Sequence, residues 1–159
     1  MELSEDLLAA LFDKWPVARL STISAKGEPH AVPIVFCGHE GSIYSPLDGK
    51  RKRNVQLKRM ANVTSNPNAT LLFDEYTSNW QNLWWIRIDA QADWYEPDTR
   101  TSEKIAQRLK NKYPQYKEPS LMFDTTGFLR LRPTRVSAWA QLDTAATLRA
   151  ALERTGEFA

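Results

Sequence analysis

The chain is short of the residues from which self-contained sites are built. It has one cysteine, Cys37, in 159 residues, which excludes an internal disulfide framework. That cysteine ends an apolar run, the setting of a buried, inert thiol rather than a nucleophile. Its two histidines, His30 and His39, stand apart from any cysteine or carboxylate at metal-ligand spacing, so no conventional zinc cluster is expected. Only six glycines are present, and they form no Gly-x-Gly-x-x-Gly fingerprint, phosphate loop or Gly-x-Ser-x-Gly elbow. No apolar stretch approaches the ~20 residues that cross a bilayer. The N-terminus is acidic and amphipathic, unlike a secretory leader, so a cytoplasmic location and no membrane partner are expected. No internal repeat or low-complexity tract stands out, and the length suits a single domain over residues 1–159.

What is present is a concentration of positive charge. Residues 50–59 include Lys50, Arg51, Lys52, Arg53, Lys58 and Arg59 and no acid. The whole chain holds 21 Lys and Arg against 19 Asp and Glu, so the remainder carries 15 against 19, a formal −4. Charge focused at one point attracts an anion, phosphate foremost. Taken alone, such a run is equally a solvated helix face or a nucleic-acid patch. The acidic remainder of the chain argues against nucleic acid as the partner.

Ser4 can cap a first helix over 4–15, with Glu5 and Asp6 in its first turn and Pro16 beyond its end. Leu3, Leu7, Leu8, Leu11, Phe12 and Trp15 give it one apolar stripe. Residues 17–24, 31–37 and 42–45 read as three strands of an antiparallel meander, joined at Lys26-Gly27-Glu28-Pro29 and Gly38-His39-Glu40-Gly41. The 31–37 run is almost wholly apolar, which predicts burial on both faces. Within it, Pro33 demands an edge, a bulge or a strand end. The basic stretch then opens a helix to about residue 61, and Asn66-Pro67-Asn68 turns the chain into a strand over 69–76.

Residues 83–95 alternate most cleanly. Trp84, Ile86, Ile88, Ala90, Ala92 and Trp94 share a core face; Trp85, Arg87, Asp89, Gln91 and Asp93 share a polar one. Trp85 is out of place there and needs a partner. A helix from Pro97-Asp98 to Pro114 sets Ile105, Leu109 and Tyr113 on one face. Residues 121–139 read as two strand segments around Gly127 and Pro133. A last helix spans 144–155, with Leu148 and Leu152 inward and Gly156 past its end. Six or seven short antiparallel strands with three or four helices predict a mainly β fold, a small β-barrel with peripheral helices, closed to remove its edges.

The order of these segments resembles the pyridoxamine 5′-phosphate oxidase-like split barrels, which bind flavin or deazaflavin cofactors. Ala18-Arg19-Leu20-Ser21-Thr22-Ile23-Ser24 followed by Lys26-Gly27-Glu28-Pro29-His30 looks like the family's opening hairpin. Val32-Pro33-Ile34-Val35-Phe36 looks like its second strand and Ser42-Ile43-Tyr44-Ser45 its third. Lys50-Arg51-Lys52-Arg53-Asn54 is similar to its phosphate-binding turn. Asn66-Pro67-Asn68-Ala69-Thr70-Leu71-Leu72-Phe73 and residues 84–92 match its later strands. The basic run, the paired tryptophans and Lys112-Tyr113-Pro114-Gln115-Tyr116 look most like a subgroup described as coenzyme F420-dependent oxidoreductases. Lys50 stands where the family often has Ser, and Trp85 where the oxidases proper often have Gln, which points away from pyridoxamine phosphate as substrate.

The resemblance implies a six- to seven-stranded split barrel and a homodimer with F420 or FMN at the interface. It also implies hydride transfer to a small unsaturated or carbonyl substrate. Lys50, Arg51, Lys52 and Arg53 would hold the cofactor phosphate with a hydroxyl from Ser45, aided by a helix N-terminus. Backbone groups of Val32, Pro33 and Ile34 would line the ring system. Trp85 and Trp139 are candidates to stack on the cofactor, to cover a neighbouring strand or to sit at a subunit contact. No residue stands out as a general acid, although Tyr44, Arg87 and His30 are available. A non-catalytic carrier or sensor binding flavin or haem on the same fold is the alternative.

Overall fold

The computed structural model describes residues 3–48 and 53–155, the side chains of 48 and 53–57 apart. Helix α1 (Glu5–Lys14) starts where the Ser4 side chain accepts a hydrogen bond from the Leu7 N–H, and it buries Leu7, Leu11 and Phe12. Strands β1 (Ala18–Ile23) and β2 (Pro29–Ile34) form a hairpin. Its loop turns at Gly27, whose φ is 78°. Strands β3 (Cys37–His39) and β4 (Ser42–Asp48) form a second hairpin. Its two loop residues, Glu40 and Gly41, both have positive φ (48° and 78°), the requirement of a type I′ turn. There follow α2 (Arg53–Ser65), β5 (Asn68–Glu75), β6 (Trp84–Tyr95), α3 (Thr99–Lys112), β7 (Phe123–Ala140) and α4 (Thr144–Arg154). Asp98 and Asp143 cap α3 and α4 by accepting from Thr101 and Ala146 N–H groups.

The seven strands lie in the order β2-β1-β5-β6-β7-β4-β3, antiparallel throughout. The expected meander is therefore corrected. The first and second hairpins are not neighbours; β2 and β3 sit at opposite ends of the sheet. Only Val35 and Phe36 connect them, and three Cα steps span at most about 11 Å. The two ends of the sheet must thus meet, which rolls it into a barrel. No ladder joins β2 to β3 among the described residues, so the barrel is closed by a chain link rather than by strand pairing. This is a mainly β fold of the split-barrel kind, with four α-helices outside the sheet.

Two further expectations change. The 31–37 run is not one strand buried on both faces. β2 stops at Ile34 and alternates between exposed and half-buried positions, as an edge strand does, and its Pro33 fits that edge. Residues 121–139 are not two segments but the single 18-residue β7, paired with β6 from Phe128 to Ala140 and with β4 over its first half. Pro133 is accommodated by a bulge. Asp89 faces Arg135 and Ala90 faces Pro133, leaving Thr134 as the extra residue. Thr134 Oγ1 then donates to the Asp89 carbonyl at 3.0 Å.

The main core includes Leu20, Phe36, Ile43, Phe73, Trp84, Ile86, Ile88 and Leu131, covered by α1 and α4. A second cluster under α3 gathers Cys37, Tyr44, Ile105, Leu109, Tyr113 and Phe128. Successive residues of β4 serve both: Ile43 belongs to the first cluster and Tyr44 to the second. Trp94, expected in the core, is only half-buried; its indole covers Gly127 and donates to Glu96 at 3.0 Å. No described helix is long and apolar enough to cross a membrane.

Candidate functional site

The edge of β2 carries Val32, Pro33 and Ile34, opposite Leu20, Arg19 and Ala18 of β1. β1 pairs with β5 on its other side, whereas among the described residues β2 has β1 alone. The outer side of β2 is thus a row of backbone groups without ladder partners. Just beyond it, the link that closes the barrel is fastened at both carbonyls and at the Phe36 N–H. Ser45 Oγ donates to the Val35 carbonyl at 2.8 Å. The Tyr113 hydroxyl accepts from the Phe36 N–H at 3.1 Å and donates to the Pro16 carbonyl at 2.9 Å. Lys112 Nζ donates to the carbonyls of Phe36 (3.0 Å) and Phe12 (2.7 Å) and lies 3.5 Å from the Phe36 ring centroid. The end of α3 therefore holds α1, the link and the start of β1 in one piece.

Burial governs the titratable groups here. It brings Lys112 down to about 7, an effect that nearby Cys37 and Asp13 counter in part. It pushes Cys37 up to about 12 despite Lys112 and Arg108, so the thiol stays protonated. It also raises the Tyr113 phenol, which stays a donor. Neither Lys112 nor Tyr113 was assigned a site role from the sequence. The signal was present: Lys112 falls three residues after Leu109 and seven after Ile105, on the buried stripe of α3, where a lysine needs buried acceptors.

Helix α2 packs against β1 and β6, tied by Asn62 Nδ2 donating to Thr22 Oγ1 at 3.0 Å, both residues buried. His30 of β2 is shifted below its ordinary value, by burial first and then by Lys58 and Arg59 of α2. The helix has no acid in its first turn, which leaves its N-terminal dipole uncompensated. Lys50, Arg51 and Lys52 lie outside the described residues, and Arg53 is placed only as the first residue of α2.

Trp85 and Trp139 are direct cross-strand partners. They lie on the outer face of the sheet, where three rows run across the strands: Asp74, Trp85 and Trp139; Arg19, Leu72, Arg87 and Ser137; Ser21, Thr70, Asp89 and Arg135. A cleft of about 440 Å³ opens here between Leu72, Asp74, Tyr76, Trp85 and Arg87. Ser45, in contrast, faces Leu129, and Trp139 lies ten residues further along β7, about 33 Å of strand at ~3.3 Å per residue. The structure brings Ser45 to the β2 link, and Trp85 to Trp139, but does not bring the two groups together along this strand.

The comparisons agree with the fold. A family model described as pyridoxamine 5′-phosphate oxidase matches residues 4–140. A conserved hypothetical protein of Mycobacterium tuberculosis superposes with a TM-score of 0.67 at 17% identity, over 94% of this chain and 89% of the other. The haem storage protein HutZ of Vibrio cholerae superposes with a TM-score of 0.63 at 14% identity, over 88% and 95%. A protein of Listeria innocua, provisionally assigned as a pyridoxamine 5′-phosphate oxidase, gives 0.58 at 21% identity, over 86% and 98%. At these identities the likeness is one of fold. No curated protein sequence matches the chain. With the family model covering most of its length, this chain belongs to the pyridoxamine 5′-phosphate oxidase family.

Proposed function

We propose that the protein is an oxidoreductase that binds F420 or FMN and transfers a hydride between that cofactor and a small unsaturated or carbonyl compound. The observation that carries the reading is the open outer edge of β2 at Val32–Pro33–Ile34, held by the fastened link beside it. The free backbone groups of this edge, among which Pro33 supplies a carbonyl and no N–H, suit the polar edge of a flavin-like ring and tune it without an ionisable side chain. Lys50, Arg51, Lys52 and Arg53 lead into α2, whose first turn holds no acid. Cations followed by a helix N-terminus make a phosphate site. The residues present therefore fit the group, which when bound supplies the hydride chemistry; the protein's part is position and exclusion of water.

The distance along β7 between Ser45 and the Trp85–Trp139 pair favours a homodimer in which one copy supplies β2 and the basic turn and the other supplies the tryptophan face. A cytoplasmic location follows from the same reading, since such cofactors are kept there.

The second reading is a carrier or sensor that binds flavin or haem without turnover. It is favoured by the commitment of Lys112 and Tyr113 to backbone groups, which leaves them unfit to donate protons to a substrate. The fold likeness to HutZ is compatible with it. Absorbance titration of the purified protein with F420, FMN and haem identifies the ligand. Reoxidation of the reduced, bound cofactor by candidate substrates supports the oxidoreductase. Tight binding with no substrate-dependent reoxidation supports the carrier.

A further inference from the structure

Among the described residues on the outer face of β1, β5, β6 and β7, arginines outnumber carboxylates. Arg19 pairs with Asp74 at 2.6 Å. Arg135 pairs with Asp89 through two nitrogens, at 3.0 and 2.9 Å, and Thr70 Oγ1 donates to the other Asp89 oxygen at 3.3 Å. Glu75, at the margin, is taken by Arg154 at 2.9 and 3.1 Å. Arg87, 43% exposed, lies among these pairs with only a long, shared ion pair. Its nearest carboxylate is Asp89 at 3.8 Å, already engaged. Arg87 makes no hydrogen bond among the described residues, and its Nε is buried without an acceptor. A guanidinium left this way, in the field of a second and third, is a site for an external anion.

The walls beside it are aromatic. Trp85 lies 6.0 Å from the Arg87 guanidinium, and Tyr76, 64% exposed, stands at the rim of the same cleft. The cleft is large enough for a monocyclic compound; besides the ring faces and Leu72 its lining holds the Asp74 carboxylate, whose charge Arg19 meets at 2.6 Å. A carboxylate presents two coplanar oxygens to a guanidinium fork, and a conjugated system beside it presents a flat face to the indole.

We propose that the cleft between Trp85, Tyr76 and Arg87 binds a flat, conjugated carboxylate, the charge meeting Arg87 and the ring or double bond lying against Trp85. To call that ligand the substrate rests on the oxidoreductase reading above; the binding preference does not.

Calorimetric titration with trans-cinnamate and with its neutral isostere cinnamamide tests the inference on protein without added cofactor. Wild-type protein is expected to bind cinnamate about tenfold or more tightly than cinnamamide. Arg87→Met should abolish that preference while leaving cinnamamide within about twofold of its original affinity, and Arg87→Lys, which keeps the charge and loses the fork, should fall between. Equal affinity for the two compounds in the wild type, or no binding of either, overturns the inference without recourse to a variant. An Arg87→Met protein that keeps the preference overturns it as well. Flavin binding is read separately by absorbance, so failure of the cofactor reading and failure of this one give different results.

Discussion

Lys112 Nζ donates a hydrogen bond to the Phe36 carbonyl at 3.0 Å, joining the last turn of the third helix to the two-residue link that closes the barrel. A buried ammonium held only by neutral carbonyls carries a solvation penalty that those carbonyls offset in part. Burial therefore lowers the Lys112 pKa to about 7. The folded value lies below the unfolded one, so between them the unfolded chain binds more protons and stability from this group rises with pH. The neighbouring Cys37 and Tyr113 are shifted upward and act in the opposite sense only above their own unfolded values, near pH 9 and 10.

The window from pH 7 to 8.5 thus isolates the lysine. Over it, wild-type stability should rise relative to Lys112→Met by about 2 kcal/mol, at 1.36 kcal/mol per pH unit. Urea unfolding at both pH values checks this. A constant difference between wild type and variant would place the Lys112 pKa well above this window.

Tyr113→Phe tests the other fastening of the link. Its hydroxyl accepts from Phe36 and donates to Pro16, and the ring is buried. Removing the oxygen leaves a buried N–H and a carbonyl without partners, a cost of about 1–3 kcal/mol in chemical denaturation. An unchanged denaturation midpoint would mean that water replaces the hydroxyl.

Gly127 has no backbone requirement for glycine, yet a Cβ there would stand 2.2 Å from Trp94 Cζ2. Gly127→Ala should destabilise by about 1–3 kcal/mol through overpacking. In the Trp94→Leu background the same change should cost far less, a coupling that a double-mutant cycle reads directly.

Legibility followed the range of the interactions. The sixth strand was plain because a strict alternation over Trp84–Tyr95 is local, and its five inward residues from Trp84 to Ala92 are buried. The N-caps at Ser4, Asp98 and Asp143 are local too; the first was read directly and the other two only as helix starts. What escaped was set by pairing between distant segments. Nothing near residues 29–39 states that its two strands part to opposite edges of the sheet; that follows from the insertion of β5, β6 and β7 between the two hairpins. Pro133 looked like a strand end because its cure, the extra Thr134, works only against Asp89 and Ala90 across the sheet. In the site, Val32, Pro33 and Ile34 were legible as a strand containing an awkward proline. The pairing of Trp85 with Trp139 depends on that same bulge and was not. Lys112 was passed over because its acceptors are main-chain carbonyls of Phe12 and Phe36, which sequence does not mark.

The central claim is that the cations before the second helix hold the phosphate of a redox ring lying along β2. It is tested most directly by titrating wild-type and Lys52→Ala protein with FMN, with F420 and with riboflavin, which has the ring and no phosphate. The account predicts tight binding of FMN or F420 by the wild type and much weaker binding of riboflavin. Lys52→Ala should weaken the phosphorylated ligand by about 1–3 kcal/mol and leave riboflavin unchanged. Riboflavin bound as tightly as FMN, or a phosphorylated cofactor indifferent to Lys52→Ala, would contradict it.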